Sequence, residues 1–520
     1  MPIALFSVSN KRGLVEFATT LSQIGWNFVA TGGTAKALRD GGLTVMDIAD
    51  LTGSPEMLGG RVKTLHPNIY GGILARATQE DQAEIDTHQI KKIDMVVCNL
   101  YPFQNTVANP DVDMSDAVEH IDIGGVTLLR AAAKNFARVT VICDPNDYSQ
   151  VAGDLRDSGG LSKNQRVQFA RKAFNHTAEY DVAISNYLSK DARAETASIE
   201  AVTLDTPDEE LPVMLMSSLV KIQEMRYGEN PHQSAALYSN QTIIGPLNGM
   251  LLQGKPLSYN NMLDLDAAWR ATQGFDAPSV VIVKHLSPCG IATANSLTTA
   301  FPEALASDSV SAFGGVIAVN RTFGASTAEA LGNLFVEAIA APAFSEVAKQ
   351  ILAKRKNCRL LEIDLTEPSP LEFRSIAGGV LVQASDYGDP PETEWTVVTE
   401  RQPTEEEMTA LKFAWTACQH VKSNAIVFAT GTATVGIGGG LPSRIDSVKL
   451  AASKAGEKAK GAVLASDAFF PFADGIEAAA QAGVTAVIEP GGSIRDQEVI
   501  DAANRLNLAM VFTGTRHFRH

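Results

Sequence analysis

Short apolar runs alternate with amphipathic stretches along the first 143 residues, and this alternation restricts the possible folds more than any other feature. The apolar runs predict strands at IALFSV (3–8), NFVAT (27–31), LTVMDIA (43–49), MVVCNLY (95–101) and VTVIC (139–143). The amphipathic stretches predict helices at LVEFATTLSQIG (14–25), TAKALRD (34–40) and TLLRAAAKN (127–135). Strands that alternate with helices over short connections form a parallel sheet, so we expect a doubly wound α/β domain.

A break in this pattern marks the end of the first domain. The helical stretch at 165–189 is followed by the acidic segment 190–211, which has no strong apolar period. We therefore place a boundary at about residue 200, which gives domains at 1–200 and 201–520. PVMLMSSLVKI (212–222) would begin the second domain.

The second domain contains two pairs of similar strings. VKHLSPCGIA (283–292) precedes SVSAFGGVIAVN (309–320), and VKSNAIVFA (421–429) precedes SDAFFPFADG (466–475). A duplicated lobe would explain them, and so would chance, because each string is short. If the lobes are duplicated, we expect them to divide roughly near residues 365–400.

Charge and cysteine content restrict the partners and the compartment. The formal net charge is −16, which argues against a nucleic-acid partner but allows small anionic substrates in a local basic pocket. The five cysteines are odd in number and widely spaced, which favours a reducing cytoplasm over a disulfide framework. The sequence has no apolar run long enough for a membrane span and no signal-peptide pattern at its start.

Two loops near the N-terminus have the composition of a phosphate site. TGGT (31–34) lies between a predicted strand and a predicted helix, where free backbone N–H groups and the helix dipole favour an anion. Two glycines let the backbone approach a ligand, and SVSNK (7–11) follows the first strand in an equivalent place. Ordinary strand–helix turns would look similar, but two such loops in one domain favour phosphate. The candidate residues are Ser7, Ser9, Lys11, Thr31, Gly32, Gly33 and Thr34.

The segment GGRVKTLHPNIYGGILAR (59–76) is loaded with hydrogen-bond donors between two glycine pairs, as functional loops often are. Its polar residues include Arg61, Lys63, Thr64 and His66. A solvated basic loop is the alternative. Further along the chain, Tyr101, Asp122 and Lys134 would complete a proton-transfer set with Lys63 if the loops converge, although each alone has an ordinary structural interpretation.

Lys284 and His285 form the most informative pair in the second domain. Val280 to Val283 predict a buried strand, and Pro288 and Gly290 are expected to end it. The pair would then lie where a strand leaves the core, the position at which open α/β sheets bind ligands. Histidine can take a proton near neutral pH and lysine can hold a developing negative charge. A structural histidine beside a surface lysine is the competing interpretation.

Other polar segments of this domain carry further candidates. In RYGENPHQ (226–233), Arg226 could clamp a phosphate or carboxylate and His232 could act as an acid or base. Asn424 lies at a predicted strand start and Arg444 follows it, while the basic tail TGTRHFRH (513–520) continues an apolar run. The sequence has no P-loop and no zinc-deaminase signature, so neither ATP nor zinc-activated water is invoked.

Eleven strings that run in order along essentially all 520 residues together resemble the bifunctional AICAR transformylase/IMP cyclohydrolase family. They are LFSVSNKRGLVEFA, TGGT, GGRVKTLHP, CNLYPF, IDIGGVTLLRAAAKN, RYGENPHQ, VKHLSPCG, SAFGGVIA, KSNAI, SDAFFPF and TRHFRH. The resemblance implies a methylglyoxal-synthase-like domain at 1–200 and two cytidine-deaminase-like lobes at 201–520. It also implies two reactions: formyl transfer from the co-substrate 10-formyltetrahydrofolate to AICAR, and closure of formyl-AICAR to IMP with loss of water.

The resemblance further implies roles for residues. In the transformylase, His285 would be the base, Lys284 would stabilise the oxyanion, Asn424 would bind the formyl group and His232 would assist proton movement. AICAR would be bound by Arg226, Tyr227, Gly314, Glu337, Arg516 and Phe518. Folate would lie near Arg444, Phe469 and Asp474. In the cyclohydrolase, the catalytic positions would be Lys63, Tyr101, Asp122 and Lys134, with Arg61 and Thr64 on the substrate.

Three further expectations follow from the family. A monovalent cation, potassium, would lie near Ser423 and Asp467. The partners would be nucleotides and folate rather than nucleic acid or membrane, and the protein would be a homodimer with shared transformylase sites. A rival hypothesis makes the first domain a non-catalytic phosphate sensor, and retention of the cyclohydrolase residues argues against it; a deaminase is opposed by the missing zinc ligands.

Overall fold

The computed structural model describes residues 1–101, 103–109, 112–196, 211, 215–239, 245–364 and 370–520. The chain forms two compact units, Met1–Ser218 and Leu219–His520. The predicted domain boundary at about residue 200 lies outside the described residues, as do Pro212 to Met214 and the first residues of the predicted lobe division at 365–369.

The first unit alternates strands with helices, as its apolar runs predict. Its strands are β1 (Ile3–Val8), β2 (Asn27–Ala30), β3 (Met46–Asp47), β4 (Met95–Asn99) and β5 (Thr140–Ile142). Its helices are α1 (Leu14–Gln23), α2 (Gly32–Asp40), α3 (Ile48–Thr52), α4 (Pro67–Leu74), α5 (Gln79–Thr87), α6 (Phe103–Val107), α7 (Met114–Glu119), α8 (Gly124–Lys134), α9 (Tyr148–Ser158) and α10 (Lys163–Thr196). Short 3-10 turns occur at Leu58–Gly60 and Pro145–Asp147.

The five strands form one parallel sheet in the order β3-β2-β1-β4-β5, so the predicted doubly wound sheet is confirmed. The third strand is shorter than its apolar run predicts. It pairs only with β2 at the sheet edge, and from Ile48 the chain turns into α3, which buries Ile48 and Thr52. The carboxyl ends of β1, β2 and β4 therefore lie side by side at one edge of this sheet.

The second unit is built around a larger mixed sheet. Its strands are β6 (Val220–Met225), β7 (Ala235–Ser239), β8 (Gly249–Gln253), β9 (Ser279–Lys284), β10 (Ser287–Thr293), β11 (Gly315–Val319), β12 (Val336–Ala341), β13 (Arg359–Ile363), β14 (Leu371–Ile376), β15 (Gly379–Ala384), β16 (Thr396–Val397), β17 (Ile426–Thr430), β18 (Ala433–Gly438), β19 (Val463–Ser466), β20 (Ala486–Glu489) and β21 (Ala509–Phe512). Its helices are α11 (Tyr259–Gln273), α12 (Leu297–Ser307), α13 (Ser309–Ala312), α14 (Ala325–Ala330), α15 (Glu346–Leu352), α16 (Glu405–Cys418), α17 (Arg444–Ala455), α18 (Asp474–Ala482) and α19 (Asp496–Arg505), with 3-10 turns at Pro246–Asn248 and Gly456–Ala459.

Twelve of these strands form one sheet whose order repeats about its centre. The order is β16-β21-β20-β19-β17-β18-β10-β9-β11-β12-β13-β8, so each strand of one half has a counterpart in the other. The halves meet where β10 pairs with β18, at Ala292 and Ala433. The predicted duplication is therefore confirmed, with the two lobes joined in a single sheet rather than forming separate cores.

Helices α11 and α16 are counterparts in the two lobes and have similar sequence features. Each begins with a capping box, at Ser258 and at Thr404, in which the cap and the third helical residue bond each other's backbone. Counted from these caps, Trp269 matches Trp415, and the buried positions coincide from Leu265 and Leu411 to the helix ends. The string repeat predicted from VKHLSPCGIA and VKSNAIVFA was wrong in register, because β9 is matched by β17 and Lys284 by Thr430.

The two faces of the large sheet are covered differently. Helices α11 and α16 share one apolar cluster with residues of both halves, including Leu265, Val283, Leu411 and Val427. On the other face, α12, α14 and α15 cover the first half, and α17 to α19 cover the second. Among the described residues, no helix combines the length and apolar character that crossing a membrane would require.

Candidate active sites

The first candidate site lies at the carboxyl edge of the parallel sheet. Asn99, the last residue of β4, is almost fully buried and accepts hydrogen bonds from the backbone N–H groups of Ser9 and Asn10 at 2.8 and 2.9 Å. Its amide group donates to the Asn10 carbonyl at 3.1 Å. The SVSNK loop is thereby fixed beside β4, which leaves Lys11 exposed and Ser7 and Ser9 half-buried.

The TGGT segment follows the neighbouring strand, β2, and forms the start of α2. Thr31 is the cap residue and its hydroxyl donates to Ser7 Oγ at 3.3 Å, which joins the two loops. Gly32 and Gly33 face open space, where even a Cβ atom would meet nothing within 4 Å. Thr34 is buried and its hydroxyl bonds the Val8 backbone at 3.1 and 3.2 Å, so it holds the loops together from below. The arrangement leaves the free N–H groups of α2 open to an anion.

The loop at 59–76 contributes polar groups of unequal accessibility. Thr64 is buried, and a Cβ atom on Gly124 would lie 2.9 Å from its hydroxyl, so this loop meets the start of α8. Lys63 Nζ lies 2.7 Å from Glu56 Oε1. Arg61 is exposed and forms an ion pair with Glu119.

Asp122 lies just before α8 in a partly buried position. Its carboxylate accepts a hydrogen bond from the Gly125 N–H at 2.7 Å, and its own N–H donates to the Tyr180 hydroxyl at 2.8 Å. Burial raises the pKa of Asp122 above its ordinary value, and the bond from Gly125 only partly opposes this. A carboxyl group of this kind can take up and release a proton closer to neutral pH.

The structure brings part of the predicted proton-transfer set together. Asp122 and Thr64 meet at Gly124, and Tyr101 is exposed two residues beyond β4. Lys134 is exposed at the other end of α8, about 18 Å along the helix axis from Asp122, and is not brought into this cluster.

The second candidate site lies at one edge of the large sheet. Strand directions place the end of β9 and the starts of β11, β12 and β17 at the same edge as the ends of β19, β20 and β21. All predicted residues on these strands therefore share one edge. The strands that carry Lys284 and Asn424 are three strand spacings apart, about 14 Å.

Lys284 ends β9, and His285 lies in a tight turn. The hairpin between β9 and β10 pairs Lys284 with Ser287, so His285 and Leu286 alone form the turn. Their φ angles are 54° and 62°. The expectation that Pro288 and Gly290 end the strand was wrong, because both lie within β10, where a bulge accommodates them. His285 is exposed at the tip of the hairpin.

Two further contacts define the surroundings of Lys284. Its Nζ donates to the Phe313 carbonyl at 2.7 Å, which leaves two N–H groups of the ammonium for other acceptors. Gly314 has a φ of 76°, and a Cβ atom there would lie 3.9 Å from Lys284 Nζ. Lys284, His285 and Gly314 are thus neighbours, whereas Glu337 on β12 forms an ion pair with Arg359.

The RYGENPHQ loop follows β6 and is closed by its last residue. The Gly228 N–H donates to the Gln233 carbonyl at 2.7 Å, and Gln233 Oε1 accepts from the Asn230 N–H at 2.9 Å. Arg226 lies with its guanidinium 5.4 Å from the centre of the Tyr227 ring. His232 is exposed within the closed loop.

Asn424 belongs to a buried polar cluster before β17. Arg444 is only 8% exposed, and its guanidinium donates to Asn424 Oδ1 at 2.7 Å and to Ser466 Oγ at 2.8 Å. It also forms an ion pair with Asp467, whose other carboxylate oxygen accepts from the Ser423 hydroxyl at 2.5 Å. Arg444 therefore orients Asn424 and Asp467 from within the protein, while Phe469 and Asp474 remain exposed nearby in sequence.

The C-terminal segment is held beside this cluster. The Arg519 carbonyl accepts from the Ser423 N–H at 2.8 Å, and the His517 N–H donates to the Asp467 carbonyl at 3.3 Å. The His517 ring is buried between Asp386 and Asp389, at 2.7 and 2.8 Å. Arg516 and Phe518 flank it, exposed, with the guanidinium 4.5 Å from the ring centre.

Sequence reasoning missed two residues that shape these sites. The Tyr180 hydroxyl accepts from the Asp122 N–H in the first unit, and Asp264 accepts hydrogen bonds from the backbone N–H groups of His285 and Leu286 at 3.3 and 2.7 Å. No local pattern singles them out, because their partners are distant in sequence. In the ranges that the structure covers, no three His, Cys, Asp or Glu side chains are grouped so as to hold a metal ion.

Comparisons with known proteins cover both units. The family model described as AICARFT/IMPCHase bienzyme matches residues 132–454, and a model described as MGS-like domain matches residues 13–127. A protein of Desulfitobacterium hafniense (strain DSM 10664 / DCB-2), named bifunctional purine biosynthesis protein PurH, is 49% identical, with 99% of each chain covered. Proteins with the same name from Nostoc punctiforme and Neisseria meningitidis serogroup A are each 48% identical, covering 100% and 99% of this chain and 99% of their own.

These matches extend over both sheets and over both candidate sites. The identity is far above the level at which only a fold is shared, and the aligned proteins have the length of this one. The chain belongs to the AICARFT/IMPCHase bienzyme family.

Proposed function

We propose that the two activities of this family are divided between the two units of the chain. As a member, the protein is a bifunctional enzyme of purine biosynthesis that transfers a formyl group from 10-formyltetrahydrofolate to AICAR and closes the product to IMP. The second unit would carry the formyl transfer and the first unit the ring closure. The observation that carries this division is the placement of Lys284, His285 and Gly314 together in the second unit, whereas the SVSNK and TGGT loops and Asp122 belong to the first.

In formyl transfer, His285 is the base and Lys284 stabilises the oxyanion. The AICAR amine is conjugated and weakly nucleophilic, so a base must remove its proton as nitrogen bonds the formyl carbon. The two free N–H groups of Lys284 Nζ can hold the oxygen that becomes negative. When the carbonyl re-forms, the bond from carbon to the folate nitrogen breaks, and that nitrogen takes a proton as tetrahydrofolate leaves.

The remaining transformylase residues supply binding. Arg226 and Tyr227 form a cation–aromatic pair suited to a planar anionic nucleotide, as do Arg516 and Phe518. Gly314 lies just before β11, the strand next to that of Lys284, and Glu337 lies on β12, the strand after it. Asn424 keeps one amide N–H for a formyl oxygen, and Arg444 acts by orienting it. Phe469 and Asp474 would contact folate, and His232 would assist proton movement.

The same distances support a homodimer with shared transformylase sites. The strands of Lys284 and Asn424 are about 14 Å apart, too far for one formyl group to contact both. A second copy could place its Asn424 cluster against Lys284 and His285. Strands β14 and β15 form a separate two-stranded ribbon that exposes Phe373 and Val380 on one face, as an interface element would.

In ring closure, the phosphate would bind at the start of α2 and the proton transfers would involve Asp122. The supporting geometry is the open backbone at Gly32 and Gly33 beside Ser7, Ser9 and Lys11. The carboxamide nitrogen attacks the formyl carbon and gives up one proton, and the formamide nitrogen gives up another as it forms the new C=N bond. The formyl oxygen takes up both protons and leaves as water. Asp122, with its raised pKa, is suited to carry one of these protons, assisted by Lys63 and Tyr101. Arg61 and Thr64 would contact the substrate, and Lys134 is carried by resemblance alone.

Two accessory expectations fare differently. A potassium ion near Ser423 and Asp467 stays a prediction: each carboxylate oxygen of Asp467 accepts one hydrogen bond and keeps further lone pairs, while Arg444 pairs with its charge. No step above uses a metal. The five cysteines are free and buried, which supports the cytoplasm as the compartment.

Reciprocal variants test the division of labour. We expect purified protein to convert AICAR and 10-formyltetrahydrofolate to IMP. The release of tetrahydrofolate measures formyl transfer, and the absorbance of IMP measures ring closure. His285→Ala should abolish formyl transfer and still convert supplied formyl-AICAR to IMP. Asp122→Asn should do the reverse and accumulate formyl-AICAR. Loss of both activities in either folded variant would contradict the two-site assignment.

A further inference from the structure

The turn that presents His285 is conformationally demanding. Both of its residues have positive φ angles and neither is glycine. A two-residue hairpin turn of this kind is normally occupied by Asn-Gly or Gly-Gly, because a side chain with a Cβ atom disfavours the left-handed region. Something outside the turn must therefore hold His285 and Leu286 in place.

The second half of the sheet offers an internal comparison. Its matching hairpin, between β17 and β18, pairs Thr430 with Ala433, so Gly431 and Thr432 form the turn. The only positive φ in that turn belongs to Gly431, at 55°, a conformation glycine adopts without penalty. The demanding turn is confined to the half that carries the lysine–histidine pair.

Asp264 is the group that holds the turn. Its Oδ1 accepts from the Leu286 N–H at 2.7 Å and its Oδ2 from the His285 N–H at 3.3 Å. These are the two N–H groups at the tip of the hairpin, and one carboxylate satisfies both. Counted from the capping residue, the matching position of α16 is Ala410, which cannot supply such bonds.

The carboxylate is itself fixed by its helix. Asp264 lies in α11, whose neighbouring residues Leu265 and Ala268 are completely buried against the sheet. The capping box formed by Ser258 and Asn261 fixes the start of the helix, less than two turns before Asp264. The turn is therefore tied to an element that packs into the core.

We infer that Asp264 is a positioning residue for formyl transfer, which fixes the His285 turn so that the imidazole faces the reacting amine. The inference rests on the proposed role of His285 as the base. Displacing a catalytic group by about 1 Å can cost a hundredfold in rate, so loss of these two bonds should act mainly on kcat.

The test compares three variants by their transformylase kinetics. Asp264→Ala should lower kcat at least about tenfold, with KM for AICAR changed less than about threefold. Asp264→Asn, which keeps one acceptor oxygen and the side-chain volume, should lower kcat less than Asp264→Ala does. Asp266→Ala is the matched control, because Asp266 lies on the same helix but pairs with Arg270 at 3.0 Å. It should keep wild-type kcat.

A rescue experiment separates turn geometry from general damage. Leu286→Gly makes the second turn position tolerant of positive φ, at the cost of some packing. The loss caused by Asp264→Ala should be smaller in the Leu286→Gly background than in the wild type. Circular dichroism at the assay temperature checks that the second unit of every variant is folded, and ring closure of supplied formyl-AICAR, which is assigned to the first unit, should stay at the wild-type rate.

The outcomes distinguish this inference from the proposed function. If His285→Ala retains formyl transfer, the assignment of the base fails. If His285→Ala is inactive but Asp264→Ala and Asp264→Asn both match Asp266→Ala, only the positioning role of Asp264 is overturned. A rise in KM with kcat unchanged, or an equal loss with and without Leu286→Gly, would overturn it as well.

Discussion

Glu489, the last residue of β20, is a carboxyl group with no exposed surface. One oxygen accepts from the Phe470 N–H at 2.8 Å, and the other has no hydrogen-bond partner. Burial raises the pKa of Glu489 to about 8, against partial opposition from the Phe470 bond. The group is therefore protonated at neutral pH in the folded chain and ionised in the unfolded chain.

Glu489→Gln should stabilise the protein at neutral and basic pH. Because the folded-state pKa is raised, the wild type loses stability as pH rises from the ordinary glutamate range to about 8. Glutamine has no proton to lose, so its advantage should grow over that window, reaching on the order of 3 kcal/mol. Urea unfolding at pH 5, 6.5 and 8 checks this. Glu498→Gln, an exposed counterpart on α19, should show no such trend, and a constant difference for Glu489→Gln would refute the explanation.

At the scale of elements, the C-terminal segment 513–520 is ordered without being a helix or a strand. His517 anchors it by bridging Asp386 and Asp389, and Asp389 also accepts from the indole N–H groups of Trp395 and Trp415. Burial alone would lower the pKa of His517, but the bonds and charges of the two carboxylates raise it overall. The segment is thus fixed by a histidine held between two carboxylates, with Arg516 and Phe518 on either side.

His517→Asn should loosen this segment in a pH-dependent way. A raised folded-state pKa makes the bridge fully stabilising below about pH 6.5 and weakens it as pH rises through the folded value. We expect the free energy of unfolding to fall by about 2 kcal/mol at pH 6 and by less at pH 9. The KM for AICAR should rise. Thermal unfolding at both pH values and transformylase kinetics measure these effects. His520→Asn, at the exposed end of the same segment, is the control for stability; equal losses at the two pH values would exclude the bridge as the cause.

At the scale of the whole molecule, the β14–β15 ribbon of the second unit has an apolar face that the described residues leave exposed. On one face of the β14–β15 ribbon, Phe373 pairs with Val382 and Ser375 with Val380, and Phe373 and Val380 are 55% and 57% exposed. The other face carries Glu372, which pairs with Arg270 at 2.9 Å and ties the ribbon to α11. A two-stranded ribbon is marginally stable alone, so the apolar face fits contact with a second copy.

Charges on this face should separate the subunits. Phe373→Asp combined with Val380→Asp should convert the proposed dimer to a monomer in sedimentation velocity, because burying two unpaired carboxylates is costly. Formyl transfer should fall with dimer content, while ring closure by the first unit should persist. Leu381→Asp, on the opposite face, should remain dimeric. A double variant that stays dimeric would place the interface elsewhere.

The sequence predicted regular patterns well and long-range partners poorly. The alternation of apolar runs gave the parallel sheet of the first unit, because period and length alone define strands and helices. The hairpin at His285 was missed, since Pro288 and Gly290 signal an end but here occupy a bulged strand. The short similar strings also gave the wrong register for the repeat. The two lobes correspond in their strand order and in the buried positions of α11 and α16, not in those strings. Asp264 and Tyr180 were missed because they act on backbone that is far away in sequence.

The junction between β10 and β18 makes the two lobes dependent on each other. The strand register there includes a single residue pair, Ala292 with Ala433, and threonine hydroxyls add further hydrogen bonds. Thr434 bonds the Ile291 backbone and the Ser307 hydroxyl, and the Thr432 hydroxyl donates to the Thr293 carbonyl. Yet α11 and α16 bury one apolar cluster that spans the junction. Neither half can lose its core without exposing that of the other, so residues 219–520 should melt as a single cooperative unit despite their duplicated origin.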